Sequence, residues 1–421
     1  MARHAEIAGA GFGGLCAALA LLQRGWTVRV HEQSPSLRSE GFGIAIHANG
    51  MRVLEALGVR DGVLEQALRI SRLETRDRLD RLTAVTRPRA PTYRVSRQHM
   101  VKVLGRAVTD LGGTIRTSSR AIAATTSGTL LLDDGRSVEA DLVVASDGVN
   151  SAVRDSLGLL RRRIMLDDGA MRLVIPRTDA DRAANPPDSA PASETWSGRR
   201  RIIYNACSAD DVYLAMSCLA SDCAGSRTPI DAESWKHSFP LLEDVIDRAA
   251  RETDWARVMW VRFQVIHLHR WSRGRVAVLG DAANAMPPNL GQGGGCAMMN
   301  ALGLAVALDE RDTIEDGLDL WERRERPLTE HTQRWSRMYS ATTHWPDWMR
   351  SGAFSLIARS KHLSAMIGRT ASHHPTGTTA GSQITPGRAL AAGRIATRAT
   401  PEGAGVPPAL KTNADGTIAS T

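Results

Sequence analysis

The opening of the chain alternates apolar and polar positions in a way that predicts a strand, a turn and a helix. Residues 5–8 are apolar apart from Glu6, and the glycine-rich GAGFGG follows at 9–14. The apolar positions after this turn recur at helical spacing: Leu15, Ala18, Leu19 and Leu22. A second strand is predicted by alternation at Trp26, Val28 and Val30, and it ends at Glu32. The chain is therefore predicted to begin with a βαβ unit.

Further along, the pattern predicts both helices and strands. Helices are predicted at 52–57, after Arg97 as far as 111, and at 315–345. The predicted strands comprise a hairpin of 129–132 with 137–138 and buried runs at 142–145 and 275–279. Between 170 and 270, alternating segments separated by Asp, Gly and Pro predict an antiparallel sheet layered against the first domain.

These elements predict a discontinuous first domain, 1–165 and 271–345, and a second domain, 166–270. A helical segment is predicted at 346–370. Residues 371–421 are rich in Ala, Gly, Thr and Pro, and no aromatic residue follows Phe354. Such a segment buries too little apolar surface to offset its ordering entropy, so we expect a disordered tail.

The glycine-rich turn has the spacing of a dinucleotide cradle. Gly9 permits the tight turn, Gly11 lets the backbone approach a pyrophosphate, and Gly14 lets the helix pack closely on the strand. Glu32 ends the next strand, where an acid can accept hydrogen bonds from ribose hydroxyls. The alternative is an ordinary glycine-rich turn. This pattern does not distinguish NAD from FAD.

Two later acids follow predicted buried strands and favour a flavin. Asp147 precedes Gly148, and Asp281 follows Gly280. Acids at the carboxyl ends of parallel strands face the ligand crevice, where Asp281 could accept from ribityl hydroxyls, which NAD lacks. After two prolines, Gly291-Gln292-Gly293 precedes a helical run whose N–H groups could stabilise the pyrimidine edge of a reduced flavin. The alternative for each acid is a surface turn or a helix cap.

Composition narrows the classes of partner. Hydrophobic residues make up 43% and charged residues 23% of 421 residues, which is ordinary for a globular protein. The net charge of +8 suits acidic small molecules, but no basic stripe carries the interleaved aromatics of a nucleic-acid site. No membrane segment and no metal-ligand spacing is recognised. Five cysteines without a CxxC pair favour free thiols and a cytoplasmic location.

Taken together, GAGFGG, Glu32, the SDGVNSAVR segment and GDAANAMPP…GQG resemble the class A flavin-dependent aromatic monooxygenases over roughly residues 5–345. The resemblance implies an α/β fold: a Rossmann-type FAD-binding domain with an inserted antiparallel-sheet substrate domain and C-terminal helices. It implies cofactor contacts at Gly9, Gly11, Phe12, Gly13, Gly14, Glu32, Arg38, Arg97, Asp147, Asp281, Pro288, Gly291 and Gly293. Either Arg38 or Arg97 could instead be a surface arginine.

A closer likeness is to the 2-methyl-3-hydroxypyridine-5-carboxylate oxygenases of that family, through HEQSPSLRSEGFGI, NGMRVLEALG, MRLVIPR, RIIYNAC and QGGGCAMMNA. It implies substrate contacts at Arg172, Arg201, Tyr213 and Pro287. An arginine can pair with a substrate carboxylate and a tyrosine with a ring hydroxyl. The alternative to substrate binding is that the arginines are charged residues on an edge strand and that the tyrosine is an aromatic residue of the core.

This chain departs from the family pattern at the substrate pocket. Ala45 and Leu73 replace two pocket tyrosines of the pyridine oxygenases, so a larger and less polar pocket is expected. Asn284 stands where the family usually has His, and Met299-Asn300 replaces a frequent Glu-Asp pair.

The resemblance implies that NADH or NADPH reduces FAD and that one oxygen atom of O2 enters an aromatic ring. The substrate class expected is a hydroxylated or aminated aromatic or N-heteroaromatic acid; ring opening and oligomeric state, a homo-oligomer included, are left open. No catalytic base is assigned, since His47, His99 and His237 are candidates by residue type alone. A flavin dehydrogenase or oxidase and a catalytically silent flavin-binding protein remain alternatives. A halogenase is less favoured, because no GWxWxIP-type segment occurs.

Overall fold

A computed structural model describes residues 2–37, 43–184, 186 and 190–378. These residues belong to one contact unit, Met1–Pro386, while the second unit, Gly387–Thr421, lies outside the described residues. Arg38 and residues 379–421 of the predicted tail also lie outside them. The described chain continues past 371 as far as 378, where the Thr376 hydroxyl donates to Glu325 at 2.7 Å.

The strands are β1 (His4–Ala8), β2 (Thr27–His31), β3 (Gly43–Ile46), β4 (Leu68–Asp77), β5 (Leu82–Thr86), β6 (Tyr93–Ser96), β7 (Thr114–Arg116), β8 (Ala121–Ala124), β9 (Thr129–Leu132), β10 (Ser137–Glu139), β11 (Leu142–Ala145), β12 (Leu160–Pro176), β13 (Ala190–Ser197), β14 (Arg200–Ala206), β15 (Asp211–Leu219), β16 (Val261–Leu268), β17 (Ser272–Arg273) and β18 (Val276–Val278). The predicted hairpin forms as β9 and β10, and β11 has the predicted bounds.

The α-helices are α1 (Phe12–Leu22), α2 (Ala48–Ala56), α3 (Arg60–Leu64), α4 (Arg97–Asp110), α5 (Ala152–Ser156), α6 (Asp179–Ala184), α7 (Ala232–Ser238), α8 (Glu243–Glu252), α9 (Asp281–Asn284), α10 (Gly293–Asp309), α11 (Ile314–Ala341), α12 (Asp347–Arg359), α13 (Lys361–Ile367) and α14 (Arg369–Ser372). Short 3-10 turns lie between several of them, including one at Pro288–Leu290. In the part of the chain that the structure describes, no helix combines the length and apolarity needed to cross a bilayer.

The first sheet has six strands in the order β17-β18-β11-β1-β2-β7. Its pairs are parallel apart from β17 with β18. The apolar helices α1 and α10 pack against each other beside this sheet, and the residues of β11 and β18 are fully buried. A near-continuous apolar run is typical of a parallel strand covered on both faces. The predicted Rossmann-type domain is confirmed.

The second sheet has the order β16-β12-β15-β14-β13-β4-β6-β3, with β5 paired to β4. Its pairs are antiparallel except that β13 runs parallel to β4. Strands β3 to β6 come from residues 43–96, ahead of the predicted domain boundary at 166. The second sheet is therefore assembled from two distant parts of the sequence.

The alternation of β12, β14 and β15 gives this second sheet two different faces. One face packs on α7 and α8 and forms a separate apolar core, with Met171, Leu173, Ile202, Leu214, Met216, Trp235, Phe239 and Ile246. The cross-strand register places the intervening residues, Arg172, Val174, Arg201, Tyr213 and Ala215 among them, together on the other face, which is named the crevice face. The predicted substrate residues Arg172, Arg201 and Tyr213 all belong to this second set.

Candidate active site

The turn between β1 and α1 is shaped by two glycines that leave no room for a side chain. Gly9 has a φ of +97°, and a Cβ there would lie 2.4 Å from the carbonyl oxygen of Ser146. A Cβ on Gly14 would lie 2.0 Å from the carbonyl oxygen of Gly9. At Gly11, which caps α1, a Cβ would meet no atom within 4 Å. Open space at a helix N-terminus fits a pyrophosphate.

The residues that begin α1 pack against the later cofactor segments. A Cβ on Gly13 would lie 2.5 Å from Cδ1 of Leu279, the residue that follows β18. The Phe12 ring lies under the Arg97 guanidinium, whose central carbon is 5.1 Å from the ring centroid. A Cβ on Gly294 would approach the same ring to 3.3 Å. The first turn of α1 is therefore held between α4 and the start of α10.

Glu32 is buried directly after β2, and its carboxylate organises the turn. One oxygen accepts from the Ala10 N–H at 3.0 Å and the other from the Ser34 N–H at 3.0 Å. A carboxylate oxygen can accept more than one hydrogen bond, so ribose hydroxyls can still be accepted. The adjacent His31 hydrogen-bonds Glu6 and Ser119 at 2.7 and 2.8 Å, which ties the end of β2 to β1.

Asp147 lies after β11 and also supports the turn that leads to α5. One carboxylate oxygen accepts from the Val153 N–H at 3.3 Å, while no described group bonds the other, which is buried. Burial raises the pKa of Asp147, and hydrogen bonds from Ser151 and Val153 oppose that rise. The fully buried Arg154 donates to the carbonyl oxygens of Val149 and Ala282, which joins this segment to α9.

Asp281 begins α9, and its side chain is exposed although it lies near the charges of Arg97 and Arg172. Desolvation raises the pKa of Asp281, and the positive charges of Arg97 and Arg172 oppose that rise. Asp281 therefore lies within electrostatic reach of one arginine from α4 and another from the substrate sheet. This position suits a carboxylate that accepts hydrogen bonds from a polyhydroxyl chain.

The turn 287–293, which is named the cofactor turn, leads from α9 to α10. Pro287 is buried and Pro288 is exposed, and Gly291 has a φ of +61°. A Cβ on Gly293, the first residue of α10, would meet no atom within 4 Å. Open space therefore adjoins this helix N-terminus as it does at Gly11. Two separate N-termini with open space in front of them fit the two ends of FAD.

Arg172 and Tyr213 lie together on the crevice face of the second sheet. Arg172 hydrogen-bonds the Tyr213 hydroxyl, and its charge also acts on Asp281. Burial raises the pKa of Tyr213, and the charges of Arg172 and Arg201 oppose that rise. These contacts link the substrate sheet to the proposed ribityl site.

Arg201 lies on the same face but is engaged by other protein groups. It is 4% exposed, pairs with Glu194 at 3.3 Å and donates to the Asn289 side chain at 2.8 Å. Its guanidinium stacks on Trp196 at 5.0 Å from the ring centroid, and Tyr339 donates a hydrogen bond to Glu194. The guanidinium charge is thus compensated within the protein.

The positions that depart from the family pattern have separate environments. Ala45 is half-buried near Gly291, and Leu73 is 37% exposed. Asn300 is fully buried between helices: its carbonyl oxygen accepts from the Trp321 indole at 2.9 Å and its amide oxygen from Thr329 at 3.2 Å. Asn300 therefore joins α10 to α11. Asn284 is buried, and no described group bonds its amide nitrogen.

The three candidate histidines differ in position. His99 bonds the carbonyl oxygen of Gly62 at 2.7 Å, and His237 is exposed on α7. His47 lies beside the cofactor turn, because a Cβ on Gly291 would be 3.3 Å from its Nε2. Residue type alone could not separate these three. Arg154 belongs to the SDGVNSAVR segment but was given no role there, and Glu194 was not singled out by any pattern.

Comparison with known proteins adds independent findings. The family described as FAD binding domain matches residues 4–336. A putative 2-heptyl-3-hydroxy-4(1H)-quinolone synthase of Rhodococcus erythropolis is 38% identical over 389 residues, covering 90% of this chain and 98% of that protein. The 2-heptyl-3-hydroxy-4(1H)-quinolone synthase of Mycobacteroides abscessus is 39% identical over 369 residues, covering 85% and 95%. The solved tetrameric form of 2-methyl-3-hydroxypyridine-5-carboxylic acid oxygenase has a TM-score of 0.79 at 36% identity, covering 89% and 97%.

Proposed function

This chain belongs to the FAD-binding-domain family and is a class A flavin-dependent monooxygenase, and we propose that it uses NAD(P)H and O2 to hydroxylate a neutral N-heteroaromatic ring. In the balanced reaction, a ring C–H, O2, NAD(P)H and a proton give a ring C–OH, NAD(P)⁺ and water. Bound FAD would supply the electron transfer and the activation of oxygen. The protein would hold the cofactor and orient the ring.

The observation that supports a neutral substrate is the pairing of Arg201 with Glu194. A buried guanidinium that already has a carboxylate partner gains little from a second one, because Glu194 would then oppose the substrate's negative charge. The second arginine, Arg172, is shared between Tyr213 and Asp281. Neither cation is reserved for a substrate carboxylate.

The apolar residues around these side chains support the same substrate class. Val174 and Ala215 share the crevice face with Arg172, and the small Ala45 and the apolar Leu73 stand where the pyridine oxygenases have tyrosines. An alkyl substituent gains about 0.8 kcal/mol for each buried methylene in such surroundings. The two quinolone synthases are named for a product with a heptyl group, a ring hydroxyl and no carboxylate. We therefore propose a 2-alkyl-4(1H)-quinolone that is hydroxylated at C3.

Tyr213 is the residue we assign to ring orientation. Its pKa is raised mainly by burial, so the phenol stays protonated near neutral pH and can donate to a ring oxygen. Arg172 fixes the position of this hydroxyl by donating to it. Pro287 lies buried at the start of the cofactor turn, where a ring could contact it.

A second candidate is a carboxylated pyridine ring, as in the name of the solved oxygenase. The half-buried position of Arg172 on the crevice face favours it, since a substrate carboxylate could displace the contact with Tyr213. If the substrate is a carboxylated pyridine, the proposed reaction is hydroxylation followed by opening of the ring.

The test is a panel of neutral 2-alkyl-4(1H)-quinolones and carboxylated pyridines, each assayed with NADH and with NADPH. We expect quinolone-stimulated NAD(P)H consumption and a product with one added oxygen atom. A kcat/KM at least tenfold higher for the pyridine carboxylates would reverse the choice of substrate. Bound flavin with ring-stimulated electron transfer but no oxygenated product would favour the dehydrogenase or oxidase alternative.

A further inference from the structure

We propose that His47 is a positioning residue for the cofactor: a neutral imidazole that hydrogen-bonds the pyrimidine edge of FAD at the Gly291–Gly293 turn. The inference rests on the family and its cofactor, and not on the identity of the substrate. It assigns a role to a histidine that residue type alone left unassigned.

The local fold directs His47 toward this turn. His47 continues β3 in an extended conformation, with φ −90° and ψ 176°, and directly precedes α2. Alternation places Gly43, Ala45 and His47 on one face of the strand. A Cβ on Gly43 would lie 3.1 Å from Cβ of Tyr213, while His47 Nε2 approaches Gly291. The imidazole therefore lies where the substrate wall meets the cofactor turn.

A hydrogen bond holds this corner together. The Asn49 amide of α2 donates to the Gln292 side chain at 3.0 Å, and Gln292 is the residue that caps α10. Both residues are buried. Because α2 and α10 are joined at their N-termini, the imidazole keeps a defined position relative to the N–H groups at the start of α10.

The structure assigns no other work to this imidazole. His47 occupies the N-cap position of α2, yet its side chain makes no capping hydrogen bond. Among the described residues, no group forms a hydrogen bond or an ion pair with its ring. His31 and His99, by contrast, each have a partner at 2.8 Å or less. A half-buried imidazole is costly without a partner, so a ligand atom is the expected one.

The protonation state suits a neutral hydrogen bond. Burial lowers the pKa of His47 to about 4, so the ring is uncharged near neutral pH. The positive ends of the α2 and α10 helices also oppose protonation. One ring nitrogen of a neutral imidazole accepts and the other donates. The pyrimidine edge of a flavin offers an N–H flanked by carbonyl oxygens, which complements either nitrogen.

The test compares His47→Leu, which removes both nitrogens, with His47→Gln, which keeps a donor and an acceptor. FAD is titrated into each apoprotein without substrate, and the absorption spectrum of bound FAD is recorded. We expect His47→Leu to raise the Kd of FAD about tenfold and to shift the flavin absorption bands, with His47→Gln within about threefold of wild type. His99→Gln is the matched control and should leave both readouts unchanged.

Two results would overturn the assignment. One is wild-type FAD affinity and spectrum in His47→Leu. The other comes from ¹⁵N NMR of the unmodified protein, in which the imidazole nitrogen signals of His47 should shift when FAD is added. Unchanged signals would exclude the contact, even if the leucine variant failed to fold. Neither readout uses substrate, so failure here is distinguishable from failure of the proposed hydroxylation.

Discussion

The glycine-rich turn at 9–14 and the crevice face of the second sheet would hold the cofactor and the aromatic ring of the same proposed reaction, but they are built in different ways. At the turn, backbone atoms set the geometry, because Gly9 and Gly14 each face a carbonyl oxygen that excludes a side chain. On the sheet face, side chains from separate strands set it, as Arg201 pairs with Glu194. Backbone geometry leaves a motif in the sequence, whereas side-chain pairing depends on strand register and leaves none.

If backbone contacts set the cradle, a methyl group at Gly14 should reduce FAD binding more than any other single substitution in either region. In Gly14→Ala the new Cβ would overlap the carbonyl oxygen of Gly9, which cannot rotate away, so the loss of stability should reach about 3 kcal/mol, the upper end for overpacking. We expect little soluble protein and no retained FAD. Thermal unfolding and the flavin content of purified protein measure this.

Gly11→Ala is the matched control for the cradle. Its Cβ would meet no protein atom, so thermal unfolding of the apoprotein should match wild type. FAD affinity should still fall, because the methyl group would enter the space proposed for the pyrophosphate. Unchanged FAD affinity would remove Gly11 from the phosphate site.

On the sheet face, Arg201→Ala should act through the protein and not through a substrate carboxylate. Breaking a buried ion pair leaves Glu194 uncompensated and costs about 3 kcal/mol of stability. The KM values of neutral and carboxylated rings should then change by the same factor. A much larger rise for the carboxylated ring would return Arg201 to the substrate site and contradict the neutral-ring proposal.

Asp281→Ala tests the link between the two regions. A hydrogen bond to a charged group contributes about 1.5–3 kcal/mol, so FAD affinity should fall about 10- to 100-fold while the protein stays soluble. Full flavin retention with normal turnover would remove Asp281 from the ribityl site. Titration of FAD into the apoprotein provides the measurement.

Ala45→Tyr tests the size of the pocket. A tyrosine at this half-buried position should raise the KM of a long-chain alkylquinolone about tenfold by filling space needed for the chain. The KM of a pyridine carboxylate, measured with the same variant, should not rise. Equal increases for both would indicate a general disturbance of the site.

Glu6→Gln should have the smallest effect, and one that depends on pH. Burial raises the pKa of Glu6, but hydrogen bonds from His31 and His4 and the charges of His31 and Arg29 outweigh it, so the pKa is lowered from 4.5. The stabilisation is therefore present above 4.5 and is lost as pH falls through the lower value of the folded state. Denaturant unfolding should detect a difference of about 1 kcal/mol near neutral pH, which shrinks in acid.

The sequence supported the fold well wherever local pattern decided it. The strand at 142–145, the hairpin around Asp134-Gly135 and the helix after Arg97 all follow from short-range periodicity and turn chemistry. The sheet that carries the substrate residues was harder, because strands from 43–96 join strands from 160–268. No local pattern reports a pairing between such distant segments.

The site divides along the same line. Cofactor contacts at 9–14 and 287–293 could be predicted from spacing and resemblance, but the partners of Arg201 could not. Glu194 reaches Arg201 from the neighbouring strand, and Asn289 reaches it from the turn after α9. The proposed choice of a neutral substrate rests on this charge compensation, which can be recognised only when the strand register is known.

The most direct test of the proposed hydroxylation is a turnover of the wild-type protein with FAD, NAD(P)H and a 2-alkyl-4(1H)-quinolone under isotopically heavy O2, followed by mass spectrometry of the product. We predict one heavy oxygen atom in the ring hydroxyl, with NAD(P)H consumed in equal amount. A product without the heavy isotope, or NAD(P)H oxidation that the ring does not stimulate, would contradict it.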